Sequence, residues 1–191
     1  MAPALHLKEL LTYDRAAPML FTGGEFLFWF SLVYLGFLAL RERRGSRILY
    51  LTLASWFFYY KCSGAFLLAL LFTSGADFLI AQCIHKTESE RGRRLLLSLS
   101  ILLSGGILVY FKYTNFFMGS IARMLTGRFD PLDIVLPAGI SFYTFESVSY
   151  VVDVYRRRVA PTRHFFEYAC YLAYFPHILA GPILRAGDLL E

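Results

Sequence analysis

Charge is scarce in this chain, and so are the signatures of a soluble catalyst. Asp, Glu, Lys and Arg make up 17% of the 191 residues, where a soluble domain carries about 25%. The three cysteines, Cys62, Cys83 and Cys170, lie far apart, with no CxxC pair and no zinc-type spacing. They read as small apolar side chains, not as a metal site or a disulfide frame. No GxSxG elbow, Walker loop or HExxH helix occurs. No repeat, heptad or low-complexity stretch divides the chain, so it reads as one module. Residues 1–18 lack the basic lead and apolar core of a signal peptide. The net charge of +5 gathers in short clusters between apolar runs. Without a separate basic domain, nucleic-acid binding has no support.

What the chain does have is apolar length. It is 57% hydrophobic and 18% aromatic, with a mean hydropathy of +0.52. About 30 Å of hydrocarbon takes about 20 apolar residues in a helix that rises about 1.5 Å per residue. The sequence predicts an all-α, polytopic transmembrane protein of about six membrane segments. The spans are expected at Phe21–Leu40, Ile48–Tyr60, Ala65–Ile84, Leu95–Phe111, Leu136–Tyr155 and Phe165–Leu184. The second is short, ending in an aromatic run, Trp56 to Tyr60, that reads as an interfacial belt. Lys61, Cys62, Ser63 and Gly64 then form a tight connection. A second belt is expected at YFKYTNFF from Tyr110. Gly105 and Gly106 would allow close helix contact, and residues 118–135 read as a loop. The last segment is expected to be broken or re-entrant, because Pro176, Gly181 and Pro182 interrupt it.

Orientation follows from Lys and Arg. The connections after the first, third and fifth spans are rich in them: Arg41, Arg43, Arg44 and Arg47; Lys86, Arg91, Arg93 and Arg94; Arg156, Arg157, Arg158 and Arg163. The connection after the second holds only Lys61. Loops 41–47, 85–94 and 156–164 are therefore expected in the cytoplasm, with the amino terminus outside, in a multi-pass protein of the plasma (inner) membrane.

Ionisable groups at membrane depth cost about 2.5–3.5 kcal/mol each on insertion scales. The stretch from Leu136 to Asp188 carries several, together with helix breaks at Pro137, Gly139, Pro176, Gly181 and Pro182. Such breaks persist only where protein or a wet cavity satisfies the freed backbone. The stretch therefore reads as the lining of a buried polar site. Glu146 and Asp153 are seven apart, about two turns, and would share one helix face. They either pair with cations from another span or line a cavity. Asp77 either bonds a neighbouring helix or lines a polar path. His177, beside the Pro176 break, can act as a base near neutral pH, or can donate to a freed carbonyl or position a substrate. His164 reads as interfacial, and His6 and His85 carry no signal.

The runs LPAGISFYTFESVSYVVDVYR from Leu136 and YFPHILAGPILR from Tyr174 resemble the membrane-bound O-acyltransferase family, on the branch of the alginate O-acetyltransferase membrane subunit. MLFTGGEFLFWF from Met19, SWFFYY from Ser55, Asp77 and YFKYTNFF support the resemblance. It implies acyl transfer across the membrane. A cytosolic acyl thioester such as acetyl-CoA, a donor substrate and not a bound cofactor, meets an acceptor hydroxyl in a funnel between helices. The acceptor is an exported polysaccharide, as in alginate biosynthesis, or an extracytoplasmic acyl-relay protein. The resemblance makes residues 19–191 the amino-terminal part of such a module and residues 1–18 an extension. The family's catalytic histidine belongs to a span beyond the AGPI segment, so no catalytic residue is expected here, His177 being the only candidate. The funnel residues implied are Glu146, Asp153, Pro176, His177, Gly181, Pro182 and Arg185. The chain alone is then expected to be inactive and to need a carboxyl-terminal half as partner. The alternative is a small multispanning transporter or scaffold subunit.

Overall fold

The structure is a computed structural model that describes residues 12–15, 18–19, 21–125, 127, 129–178 and 181. Among them every regular element is helical. In chain order these are α1 (Gly24–Ala39), α2 (Arg44–Ser63), α3 (Leu67–Lys86), α4 (Glu90–Leu108), α5 (Thr114–Leu125), α6 (Ile140–Tyr155), α7 (Phe165–Ala173) and α8 (Phe175–Ile178). A 3-10 turn, Gly64–Phe66, joins α2 to α3, and a π turn, Val109–Tyr113, joins α4 to α5.

The stretches 44–86 and 90–125 are long and apolar enough to cross a membrane, and α1 is a shorter apolar helix. The distribution of side chains settles what surrounds them. Leu68, Leu95 and Leu102 stand outward, each about 70% exposed, while Thr52, Ser55, Ser74, Asp77 and Glu146 are fully buried. A water-soluble fold would reverse this arrangement. The chain is a membrane protein.

α6 is the central helix. It packs against α3 and α4 on one side and α7 on the other, while α2 lies mainly along α7. Its inward residues recur at helical spacing: Tyr143, Ser147, Tyr150, Val151 and Val154. A second cluster, Met19, Val33, Phe58 and Phe175, joins α1, α2 and α8. Polar bonds gather the arginine-rich connections at one end of the bundle. Thr52 Oγ1 donates to the Phe166 carbonyl at 3.2 Å. Gln82 Nε2 donates to the Thr162 carbonyl at 2.6 Å. The Tyr155 hydroxyl donates to Glu90 at 2.6 Å.

Five expectations are corrected. The second span is not short: α2 is 20 residues long, starting among the arginines, which are good helix formers. It also runs through Lys61, Cys62 and Ser63, because Lys61 Nζ finds the Thr12 carbonyl at 2.6 Å. The chain turns only at Gly64, whose φ of 58° suits glycine. The Trp56–Tyr60 run is no simple belt, since Phe58 and Tyr59 are fully buried. Phe58 stacks on Phe21 and Trp29 and meets Phe26 and Phe175 edge-on or tilted. The 118–135 loop begins later, because α5 carries the helix to Leu125. Asn115 then ties the returning chain, donating to the Leu132 carbonyl at 2.8 Å and accepting from its N–H at 2.9 Å. Gly105 and Gly106 make no close helix contact; a Cβ on either would meet nothing within 4 Å.

Candidate functional site

Two interrupted segments meet beside α2. The first is Leu136–Gly139, the entry to α6. Pro137 and a left-handed Gly139, at φ 69°, keep it out of the helix. α2 satisfies its freed backbone: the Tyr59 hydroxyl donates to the Ala138 carbonyl at 2.9 Å, and the Ala138 N–H donates to Ser63 Oγ at 3.1 Å. The second is the break at Tyr174, where ψ of 109° ends α7. The Phe175 N–H donates to Ser55 Oγ at 3.3 Å. Pro176 sits in the first turn of α8, where its missing N–H costs nothing.

These breaks face each other. A Cβ on Gly139 would collide with the Ile178 carbonyl oxygen, and one on Gly181 would collide with His177. This packing places His177 Nε2 2.9 Å from Glu146 Oε1, with Glu146 fully buried and His177 nearly so. A hydrogen bond between these two atoms needs one proton, carried by either partner. The outer atoms of the pair, Glu146 Oε2 and His177 Nδ1, are buried without a hydrogen-bond partner among the described residues, as is Thr144 Oγ1 on the same helix. A buried polar atom left unmet costs about 1–3 kcal/mol, and folded proteins keep few of them. The pair therefore presents an acceptor-rich spot ready for a water or a substrate hydroxyl.

The structure brings Glu146, Pro176, His177 and Gly181 together, although the Pro176 ring itself is exposed. It does not bring Asp153 to them. Asp153 lies about two turns, roughly 10 Å, along α6 from Glu146. It pairs instead with Arg158 at 3.8 Å. A shared face in sequence is thus not a shared site, because the arginine that follows α6 claims the second acid. Pro182 and Arg185 lie outside the described residues. His164 is the exposed residue that opens α7.

Asp77 is the other buried acid. Its carboxylate accepts from Ser100 at 2.6 Å and from Ser104 at 2.7 Å, both on α4, and from Ser147 on α6. Ser147 also bonds the Tyr168 hydroxyl of α7 at 2.9 Å. This is the inter-helix bonding role for Asp77. Sequence reading missed the serines. The signal that could have found them is the spacing of Ser100 and Ser104, one turn apart on an apolar helix. The three cysteines are free, and Cys62 Sγ contacts the Met19 carbonyl at 2.9 Å. Two cavities lie away from the Glu146–His177 pair, one of about 250 Å³ at the arginine-rich end and one of about 220 Å³ beside α5.

Comparison with known proteins decides the family. A probable alginate O-acetylase of Azotobacter vinelandii is 36% identical over 181 residues, covering 91% of this chain. The one from Pseudomonas aeruginosa is 38% identical over 178 residues, again 91% of this chain. The chain belongs to the membrane-bound O-acyltransferase family. A peptidoglycan O-acetyltransferase of Helicobacter pylori is 29% identical over 212 residues, covering 96% of this chain. The chain spans about a third of the length of these O-acyltransferases: 36%, 34% and 40% respectively. No protein-family model matches the chain, and no solved structure does.

Proposed function

We propose that this chain forms the funnel wall of a membrane O-acetyltransferase, moving an acetyl group from a cytosolic thioester such as acetyl-CoA to a hydroxyl outside. The observation that carries the reading is the buried Glu146–His177 pair, held between two interrupted segments with its outer atoms unpaired among the described residues. The relatives' names point to the chemistry: they are O-acetylases of alginate and peptidoglycan. The acceptor is accordingly a polysaccharide hydroxyl, reached directly or through an acyl-relay protein.

Attack of a hydroxyl on a thioester needs a base for the hydroxyl proton and donors for the oxyanion. In this reading the Glu146–His177 pair orients the acceptor by accepting its hydroxyl proton in a hydrogen bond. Gly181 leaves room for that pair by lacking a Cβ. His177 is a positioning residue, and the base that removes the proton is not assigned to this chain. The chain enters the inner membrane as about six segments, the last of them broken at Tyr174, with the arginine-rich end in the cytoplasm by the positive-inside rule. The donor enters from that end.

The test is a chimera in which this chain replaces the matched stretch of the Pseudomonas aeruginosa relative, in cells lacking their own copy. O-acetyl content of the secreted alginate is the readout. The chimera is expected to acetylate. Glu146→Gln and His177→Gln are expected to lower that content about tenfold or more at equal protein level, the scale of one hydrogen bond to a charged group. Full acetylation by the His177→Gln chimera would end this reading.

A further inference from the structure

The cavity of about 250 Å³ at the arginine-rich end has a mixed lining that the acyl-transfer reading does not use. Ile84, Val154 and Val159 give it apolar walls, and His85, Arg93 and Arg157 give it N–H donors. Two of these donors are uncommitted. Arg93 is held in place: its guanidinium bonds the Tyr155 carbonyl, stacks 4.9 Å from the Tyr155 ring and pairs with Glu90 at 3.4 Å. Neighbouring charges are likewise spoken for, Arg94 by Glu90 at 3.2 Å and Arg158 by Asp153 at 3.8 Å. Arg157 and His85 have no hydrogen-bond or ion-pair partner among the described residues.

The backbone of Arg157 adds an independent observation. α6 ends in a Schellman turn: the Arg158 N–H donates to the Asp153 carbonyl at 2.9 Å and the Arg157 N–H to the Val154 carbonyl at 3.0 Å. Arg157 is the left-handed residue of that turn, at φ 59°. Glycine is favoured there, and a residue with a Cβ adopts the conformation at a cost. An arginine standing where glycine would be more stable suggests that its side chain has a task.

We propose that this cavity binds the phosphate of an anionic phospholipid. Arg157 and His85 donate to the phosphate oxygens, and the apolar walls receive the upper acyl carbons. Position and size support a lipid over a soluble ligand. The cavity lies among the ends of α3 and α6 and the first turn of α4, and Leu95 on α4 is exposed. Basic pockets between membrane helices at the cytoplasmic side take lipid headgroups. The cavity is also smaller than the roughly 300–1,000 Å³ of most small-molecule sites. Its volume is on the scale of a phosphate with its glycerol stub, not of a whole nucleotide thioester. The proposal needs only that this end meets a bilayer surface, so it stands if the acyl-transfer reading fails.

The experiment uses the 191-residue protein in mixed micelles, titrated with phosphatidylglycerol or with phosphatidylcholine of the same acyl chains. Bound lipid is read by native mass spectrometry, and the melting temperature is measured in lipid-free detergent. Selective retention of phosphatidylglycerol is expected. Arg157→Gly is expected to raise the melting temperature while weakening that binding about tenfold, the loss of one charge-assisted contact. His85→Gln is expected to weaken it less. Unchanged phosphatidylglycerol binding by Arg157→Gly overturns the proposal, and so does a lowered melting temperature with binding intact. Displacement of the lipid by millimolar inorganic phosphate or by acetyl-CoA assigns the site to a soluble phosphate and overturns the lipid assignment.

Discussion

The carbonyl oxygen of Ile178 occupies the space that a Cβ on Gly139 would take. That contact joins the entry of α6 to the short α8 and sets where His177 stands. Gly139→Ala is expected to cost about 1–2 kcal/mol for the left-handed backbone alone, and more once the carbonyl moves. Gly106→Ala, with open space around it, is expected to gain up to about 1 kcal/mol in helix propensity. Unfolding of the purified protein by SDS in mixed micelles measures both. Equal effects at the two positions would show that the breaks do not touch.

Removing one member of the Glu146–His177 pair strands the other inside the bundle. His177→Ala is expected to lower stability by about 3–5 kcal/mol. Replacing both residues with leucine is expected to recover most of that loss, since a buried pair exchanged for apolar side chains is often neutral. The same unfolding assay reports the coupling. Additive losses in the double variant would mean that the two side chains do not interact.

The Asp77 junction has a graded prediction. Ser104→Ala is expected to cost about 0.6–1.7 kcal/mol, the measured scale of hydrogen bonds between membrane helices. Asp77→Ala is expected to cost more than any single serine, because it leaves Ser100, Ser104 and Ser147 without their common acceptor. A serine variant as damaging as Asp77→Ala would contradict the shared-acceptor geometry.

Sidedness is open to chemical labelling. With Cys62, Cys83 and Cys170 replaced by serine, Glu88→Cys places a single thiol in the exposed connection between α3 and α4. In right-side-out cells a membrane-impermeant maleimide is expected to leave it unlabelled, and in inverted vesicles to label it. The opposite pattern would place the arginine-rich end outside.

The sequence made some features legible and hid others for identifiable reasons. Apolar length and composition made the all-helical membrane character legible, and Pro137, Gly139 and Pro176 marked the breaks, because these signals are local. The burial of Phe58 was not legible. The same aromatic residues suit a membrane interface or a packed core, and the deciding partner, Phe175, comes 117 residues later. Asp153 misled for a similar reason. Helical spacing put it on the Glu146 face, while the claim of Arg158 on it depends on how the chain turns after α6. His177 was read correctly as lying at a break, yet its bond to Glu146 needed the fold.

The Asp77 junction also constrains how the chain is made. Asp77 emerges 23 residues before Ser100 and 70 before Ser147. At about 5–20 residues per second, roughly 4–14 s pass before the last hydroxyl donor is translated. During that interval only the α4 serines can shield the acid. Release of α3 and α4 into lipid as a pre-joined hairpin, with α6 docking onto it afterwards, is the order that spares the acid its cost of about 2.5–3.5 kcal/mol at membrane depth.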